Sequence, residues 1–444
     1  MIRRVAPLSA LLALSVLTCA ALPAAAASAT ATGPAPVAVV SGVPASAAAG
    51  DEKGVEGDVV EQAGRLFAEY REAAALDPRT DLLELRFGTA NVPGAVAVKG
   101  LSADHALLAA FFAELARAGV GVESSVEEVP NTEDLKRLTW ALVARSTAPL
   151  ADASGSGAAV RELGLGEHLR VLVNRFDGRV LVQTPDGRLG WVEEKAVALL
   201  NDVAFVAWNR RDDAVVTAAY APVTDAGGKT LLTAPLGAAL PLVNAEAKRF
   251  EVLLPGGGTG FIARKLAADE KPFQSANEEL RRASPADYLA RTAQSAEALV
   301  KAGAGRSDYL APLPVAALRL HDLVAPEEPD RLARLGPPLS GGVKGRDLKP
   351  GDLVFFGDAK EEAVLRAGIW LGRGRFAADD PKTGRAAIFA FDGGDGHAAN
   401  GGMGAFLWAV RPQAAELANP CLLSTRAHPF HQAPPAALRR CRLR

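Results

Sequence analysis

Leu348-Lys349-Pro350-Gly351-Asp352-Leu353-Val354-Phe355-Phe356-Gly357 is the stretch whose reading decides the fold. Proline fixes one backbone angle and glycine tolerates positive φ, so Pro350-Gly351-Asp352 predicts a tight turn. The apolar run from Leu353 to Phe356 predicts a buried strand leaving that turn. The chain around it has 444 residues, 49% hydrophobic and 23% charged, enough for several domains with their own cores. Its 49 Lys plus Arg against 51 Asp plus Glu give a formal charge of -2, which provides no field to attract nucleic acid.

The wording of 348–357 resembles the central strand of NlpC-type cell-wall cysteine peptidases, a papain-like family. The resemblance implies a cysteine at a helix start, a histidine on the strand after the turn, and a third polar residue that orients the imidazole. Val315 to His321 corresponds to the helix, and Ala325-Pro326-Glu327-Glu328-Pro329-Asp330 resembles the turn that follows it. Counting back places the nucleophile at Leu310, with Asp308 surviving from the motif. Arg366-Ala367-Gly368-Ile369-Trp370-Leu371-Gly372 matches the next strand with arginine in the histidine position, and the third position falls at Ala377 or Ala378. Arginine stays protonated and cannot accept a thiol proton. The resemblance therefore implies a peptidase-like domain whose catalytic positions, Leu310, Arg366 and Ala378, are degenerate, with Asp308, Tyr309 and Trp370 as ligand-binding candidates.

Other chemistries remain open. Ser307 could serve as nucleophile if a base stood near it, and Cys421 could pair with His397, His428 or His431 in a permuted site. Asp379, Asp380, Asp392, Asp395 and His397 could be read as a metal cluster, but Asp392-Gly393-Gly394-Asp395-Gly396 is an ordinary glycine-rich loop without EF-hand spacing. His105, His168 and His321 stand singly and read as surface or structural residues. No metal or other cofactor is implied.

Upstream, short β runs broken by glycine turns occur twice. The first set is Trp140–Val143, Leu169–Val173, Arg179–Gln183 and Pro185–Val192; the second is Val215–Tyr220, Ala239–Val243, Arg249–Leu254 and Pro255–Ile262. "PDGRLGWV" and "PGGGTGFI" resemble the last hairpin of bacterial SH3-like domains, which predicts two small antiparallel barrels. Trp191, Phe176 and Phe261 are either ligand-binding aromatics or core residues of those barrels.

The expected architecture is multidomain α+β. A signal peptide spans 1–29, a flexible linker 30–54, a helical or α+β front domain 55–136, SH3-like barrels 137–202 and 203–270, the NlpC-type domain 277–412 and a tail 413–444. Arg3 and Arg4 before an apolar run, then A-x-A sites, are the features of an export signal, with lipidation at Cys19 as an alternative. Export places the protein in the periplasm, at the wall or outside the cell, with no transmembrane segment in the mature chain. There Cys421 and Cys441 form an even pair suited to a disulfide, which would stabilise by roughly 3 kcal/mol. The expected role is binding of peptidoglycan stem peptide or of another envelope protein, as scaffold or regulator without catalysis. Hydrolysis of γ-D-glutamyl-diamino acid bonds with a rearranged nucleophile is the alternative, and a protein-interaction adaptor without wall affinity is a third.

Overall fold

The computed structural model describes residues 52–339, 347–361, 363–392, 399–412 and 421–432. The predicted signal, Cys19 and most of the linker lie outside the described residues. Residues Lys53–Arg444 form one contact unit.

Helices α1 (Glu52–Ala73) and α2 (His105–Arg117) pack against a three-stranded sheet of β1 (Leu83–Thr89), β2 (Ala95–Ser102) and β3 (Gly121–Glu128). Phe111 of α2 is fully buried against Phe67 of α1 and Phe87 of β1. Leu101 and Ser102 complete β2, and α2 follows with Asp104 as its cap: Oδ1 accepts from the backbone N–H of Ala106 and Leu107 at 2.9 and 3.1 Å. Strand β3 was not anticipated, since its sequence, Gly-Val-Glu-Ser-Ser-Val-Glu-Glu, suits a largely exposed edge and lacks alternation.

Two seven-stranded antiparallel sheets follow. The first holds β4 (Trp140–Val143), β5 (Thr147–Asp152), β6 (Ala159–Gly164), β7 (His168–Asn174), β8 (Arg179–Gln183), β9 (Leu189–Glu193) and β10 (Val197–Leu200). After α3 (Asp202–Asn209) come β11 (Asp213–Val216), β12 (Tyr220–Thr224), β13 (Thr230–Pro235), β14 (Ala239–Ala245), β15 (Arg249–Leu253), β16 (Thr259–Ala263) and β17 (Ala267–Asp269). The strand orders are β10-β4-β7-β8-β9-β5-β6 and β13-β12-β16-β15-β14-β11-β17. Numbered within each unit and read from opposite ends, these are the same order, so the repeat suspected from sequence is a repeat of topology. Among the described residues no ladder joins the outermost strands, so the sheets remain open where closed barrels were expected. The strand expected over Val215–Tyr220 is two strands, because the chain turns at Thr217-Ala218-Ala219.

The C-terminal unit begins with α4 (Glu270–Ala283) and α5 (Pro285–Lys301), separated at Ser284, whose hydroxyl accepts from the Asp287 N–H. Short helices α6 (Arg306–Tyr309), α7 (Leu313–Arg319) and α8 (Pro329–Leu332) lead to a five-stranded antiparallel sheet. A short pair, β18 (Leu323–Val324) with β24 (Leu423–Ser424), lies beside it. The sheet contains β19 (Leu353–Asp358), β20 (Ala363–Gly372), β21 (Arg375–Asp379), β22 (Ala386–Ala390) and β23 (Ala405–Val410), in the order β22-β21-β20-β19-β23. Leu313, Ala316 and Ala317 of α7 pack on Ile369 and Ala377 of that sheet.

The Pro350-Gly351-Asp352 turn is held by three contacts. Gly351 has φ +95°, and a Cβ there would sit 2.2 Å from the Leu289 carbonyl oxygen of α5, so only glycine lets the turn meet the helix. Asp352 is fully buried; its carboxylate accepts from the Lys349 N–H at 2.7 Å and from Arg411 Nε and Nη2 at 2.7 Å each. The Trp370 N–H donates to the Asp352 carbonyl, fixing β20 against the turn. Within the segment expected as a tail, residues 421–432 pack back on the body: Phe430 is fully buried in a cluster with Trp140, Leu142 and Phe205. The terminal arginines lie outside the described residues. No helix among the described residues is long and apolar enough to cross a membrane.

Candidate ligand groove

A cavity of about 450 Å³ opens where the first seven-stranded sheet meets the C-terminal unit. Arg366 and Ala367 of β20 line it together with Asp379 at the end of β21, Pro312 before α7, and Glu327 and Glu328 before α8. Arg161 of β6 and Arg188 close the opposite wall.

Leu310, Arg366 and Ala378, expected at the catalytic positions, do not share this space. Arg366 lines the groove. Leu310, at φ +55°, is buried and turns away into a second cavity of about 130 Å³, where its side chain meets Gly164 and Pro235 lies close by. Ala378 is fully buried in a core of Phe356, Trp370 and Phe376, which also takes up the ligand candidate Trp370. Its neighbour Asp379 supplies what the sequence reading missed. Asp379 Oδ2 accepts the Leu313 N–H at 3.1 Å, setting a carboxylate on the first turn of α7. The start of α7 therefore carries a fixed carboxylate.

Around the groove runs a lattice of buried ions. Arg161, 6% exposed in its side chain, bonds Glu167, Asp186 and Glu327 at 2.5, 2.7 and 2.9 Å. Arg319 of α7 reaches Glu327 at 2.6 Å, Arg188 reaches Glu328 at 2.7 Å, and Arg331 joins Glu328 at 2.9 Å and the Asp186 carbonyl at 2.7 Å. Arg79 of the front domain adds Asp330 at 2.6 Å. Burial pushes the Asp186 carboxyl up, but Arg161 and Arg331 outweigh it and hold it at about 2. For Glu327 burial prevails over Arg161 and Arg319, leaving its carboxyl above the usual range. The Pro-rich turn 325–330 resembled a family turn in sequence; its acids were the overlooked sign of docking.

The remaining candidates are dispersed. Ser307 is exposed and does not line the groove, while the Asp308 carboxylate accepts from the Gly305 N–H at 2.8 Å. Tyr309 ends α6. Cys421 is disulfide-bonded, which removes the thiol the permuted site required; its expected partner Cys441 lies outside the described residues, as does His397. His428 donates from Nε2 to the Pro185 carbonyl at 2.8 Å and accepts the Phe430 N–H at Nδ1. The His168 and His431 rings lie against each other at a 45° tilt, centres 4.1 Å apart. Burial lowers His168 and His428 to about 4, and burial with the neighbouring His168 and His428 holds His431 well below the usual imidazole range, so all three are neutral clasps for the C-terminal segment.

Trp191 is buried between the first sheet and the front domain, packed with Leu82 and Val129 and flanked by Arg175 and Arg179. Phe176 is 61% exposed beneath Lys136, and Arg249 covers the Phe261 ring at 3.8 Å. A Ser–His hydrogen bond does occur, Ser295 Oγ to His321 Nε2 at 2.9 Å, with Asn277 Oδ1 3.2 Å from Nδ1. It ties α4 and α5 to the end of α7, and none of its members lines the groove. Among the described residues no group of His, Cys, Asp and Glu is arranged to hold a metal ion; Asp395 and His397 of the suspected cluster fall outside them.

Residues 150–197 match the family model described as the bacterial dipeptidyl-peptidase Sh3 domain. No curated protein sequence matches the chain. Among solved structures, an NlpC/P60 family protein from Bacillus cereus is similar at 16% identity and TM-score 0.48, over 62% of this chain and 99% of that one. An NlpC/P60 endopeptidase from Photobacterium damselae subsp. piscicida is similar at 12% identity and TM-score 0.40, over 60% of this chain and 63% of that one. NlpC2 from Trichomonas vaginalis is similar at 13% identity and TM-score 0.30, over 62% of this chain and 97% of that one.

Proposed function

We propose that the protein binds cell-wall peptide in this groove without cleaving it, and acts in the envelope as a scaffold or as regulator of an active peptidase. One observation carries this. The groove keeps a volume suited to a short peptide, yet among the described residues its lining contains no Cys, Ser, Thr, Tyr or His. A concave, partly apolar wall of Val160, Pro312, Pro329 and Leu365 binds as well without a nucleophile as with one. The bacterial SH3 match over 150–197 supports the wall-directed part of the role.

Purified protein is expected to sediment with peptidoglycan sacculi and to release no peptide from them, beside an active peptidase as control. Failure to sediment removes the binding role. Release of peptides by the wild type, abolished in Ser307→Ala, would instead establish the hydrolase with a rearranged nucleophile.

A further inference from the structure

Nearly every charged group lining the groove is already engaged. Arg161 and Arg188 are bound to Glu167, Asp186, Glu327 and Glu328. Glu327 and Glu328 are in turn bound to Arg319 and Arg331, Asp379 caps α7, and Asp380 accepts the Lys382 N–H at 2.8 Å. Arg366 differs. Its Nη1 donates to the Met403 carbonyl at 3.1 Å, and among the described residues no carboxylate lies within ion-pair distance of it. That one bond orients the guanidinium and leaves its other donors for a guest.

The guanidinium is half-buried, where a charge-assisted bond is screened less than at an open surface. Beside it stand the apolar edges of Leu365, 54% exposed, and Ala367. An oriented arginine next to an apolar shelf fits a carboxylate carried on a short aliphatic stem. The carboxylates already in the groove also disfavour a second acidic group away from Arg366.

We propose that Arg366 makes the groove selective for peptides bearing a free carboxylate over the same peptides with that carboxylate amidated. This deepens the wall-peptide role and rests on it. The arginine that excludes proton transfer at this position thereby becomes the specificity-determining residue.

The test is calorimetric titration of the full chain with a synthetic L-Ala-γ-D-Glu-L-Lys tripeptide amidated at its lysine C-terminus, so that the D-Glu α-carboxylate is its single acid, and with the counterpart in which that carboxylate is amidated as well. The wild type is expected to bind the free acid at least ~10-fold more tightly, as one charge-assisted bond allows. Arg366→Gln should bring the two affinities together by weakening only the acid, and Arg366→Lys should restore part of the difference. Equal affinities in the wild type, or discrimination kept by Arg366→Gln, would overturn the selectivity while leaving peptide binding intact. If neither peptide binds the wild type at millimolar concentration, the wall-peptide role falls and the selectivity with it. Thermal denaturation of each variant separates lost selectivity from lost fold.

Discussion

The two ends of the five-stranded sheet make opposite use of a similar scaffold. At the turn end, Gly351 and Asp352 keep the close helix contact and the buried Asp352–Arg411 pair that a Pro-Gly-Asp turn feeding a central strand demands. At the groove end, Arg366 lines the cavity, while Leu310 faces a second cavity and Ala378 is sunk in the core. A lattice of arginines and carboxylates shared with the first sheet surrounds that groove. The two ends are therefore held differently: the turn by close packing of Gly351 on α5 and one buried ion pair, the groove by a shared lattice of arginines and carboxylates.

The widest gap, between the turn end and the first sheet with its C-terminal clasp, should appear on acidification. His168 and His428 have values near 4 in the fold against an ordinary 6.5, so their contribution is complete above pH 6.5 and is lost as pH falls through about 4. By linkage each is worth on the order of 3 kcal/mol across that window. Asp186, held at about 2 against 3.8, adds a further loss below pH 3.8. Hydrogen exchange is expected to show protection failing in 140–200 and 421–432 before it fails in β19 and β20; simultaneous loss would mean the two ends are not distinct.

Removing Arg161 tests the same lattice at neutral pH. Arg161→Ala leaves Glu167, Asp186 and Glu327 without their shared cation and should cost ~3–5 kcal/mol in urea unfolding. At the turn end, Gly351→Ala forces a Cβ toward the Leu289 carbonyl at positive φ, a strain of roughly 1–3 kcal/mol, read as a lower midpoint with the groove's peptide affinity unchanged. The smallest effect belongs to Asp379→Ala, which strips the cap from α7 and should cost about 1 kcal/mol in the same unfolding assay.

Much of the frame was legible because it rests on local signals. The Pro-Gly-Asp turn and the glycine hairpins before Trp191 and Phe261 each combine a backbone requirement with an apolar run. The site was less legible. Asp379 stands next to the expected polar position and was grouped with loop acids, because its partner is a backbone N–H on a helix distant in sequence. Arg161, Asp186, Glu327 and Arg331 look like solvated charges in sequence; only the docking of the first sheet on the C-terminal unit buries them together. Strand β3 was hidden for the opposite reason, since an exposed edge carries little hydrophobic pattern.

The central claim, binding without cleavage, is tested most directly by incubating the full chain with the free-acid tripeptide, measuring binding by calorimetry and recovering the peptide for mass spectrometry. Saturable binding with the peptide recovered intact is the predicted result. Peptide cleaved between its second and third residues, or no binding at all, would contradict it.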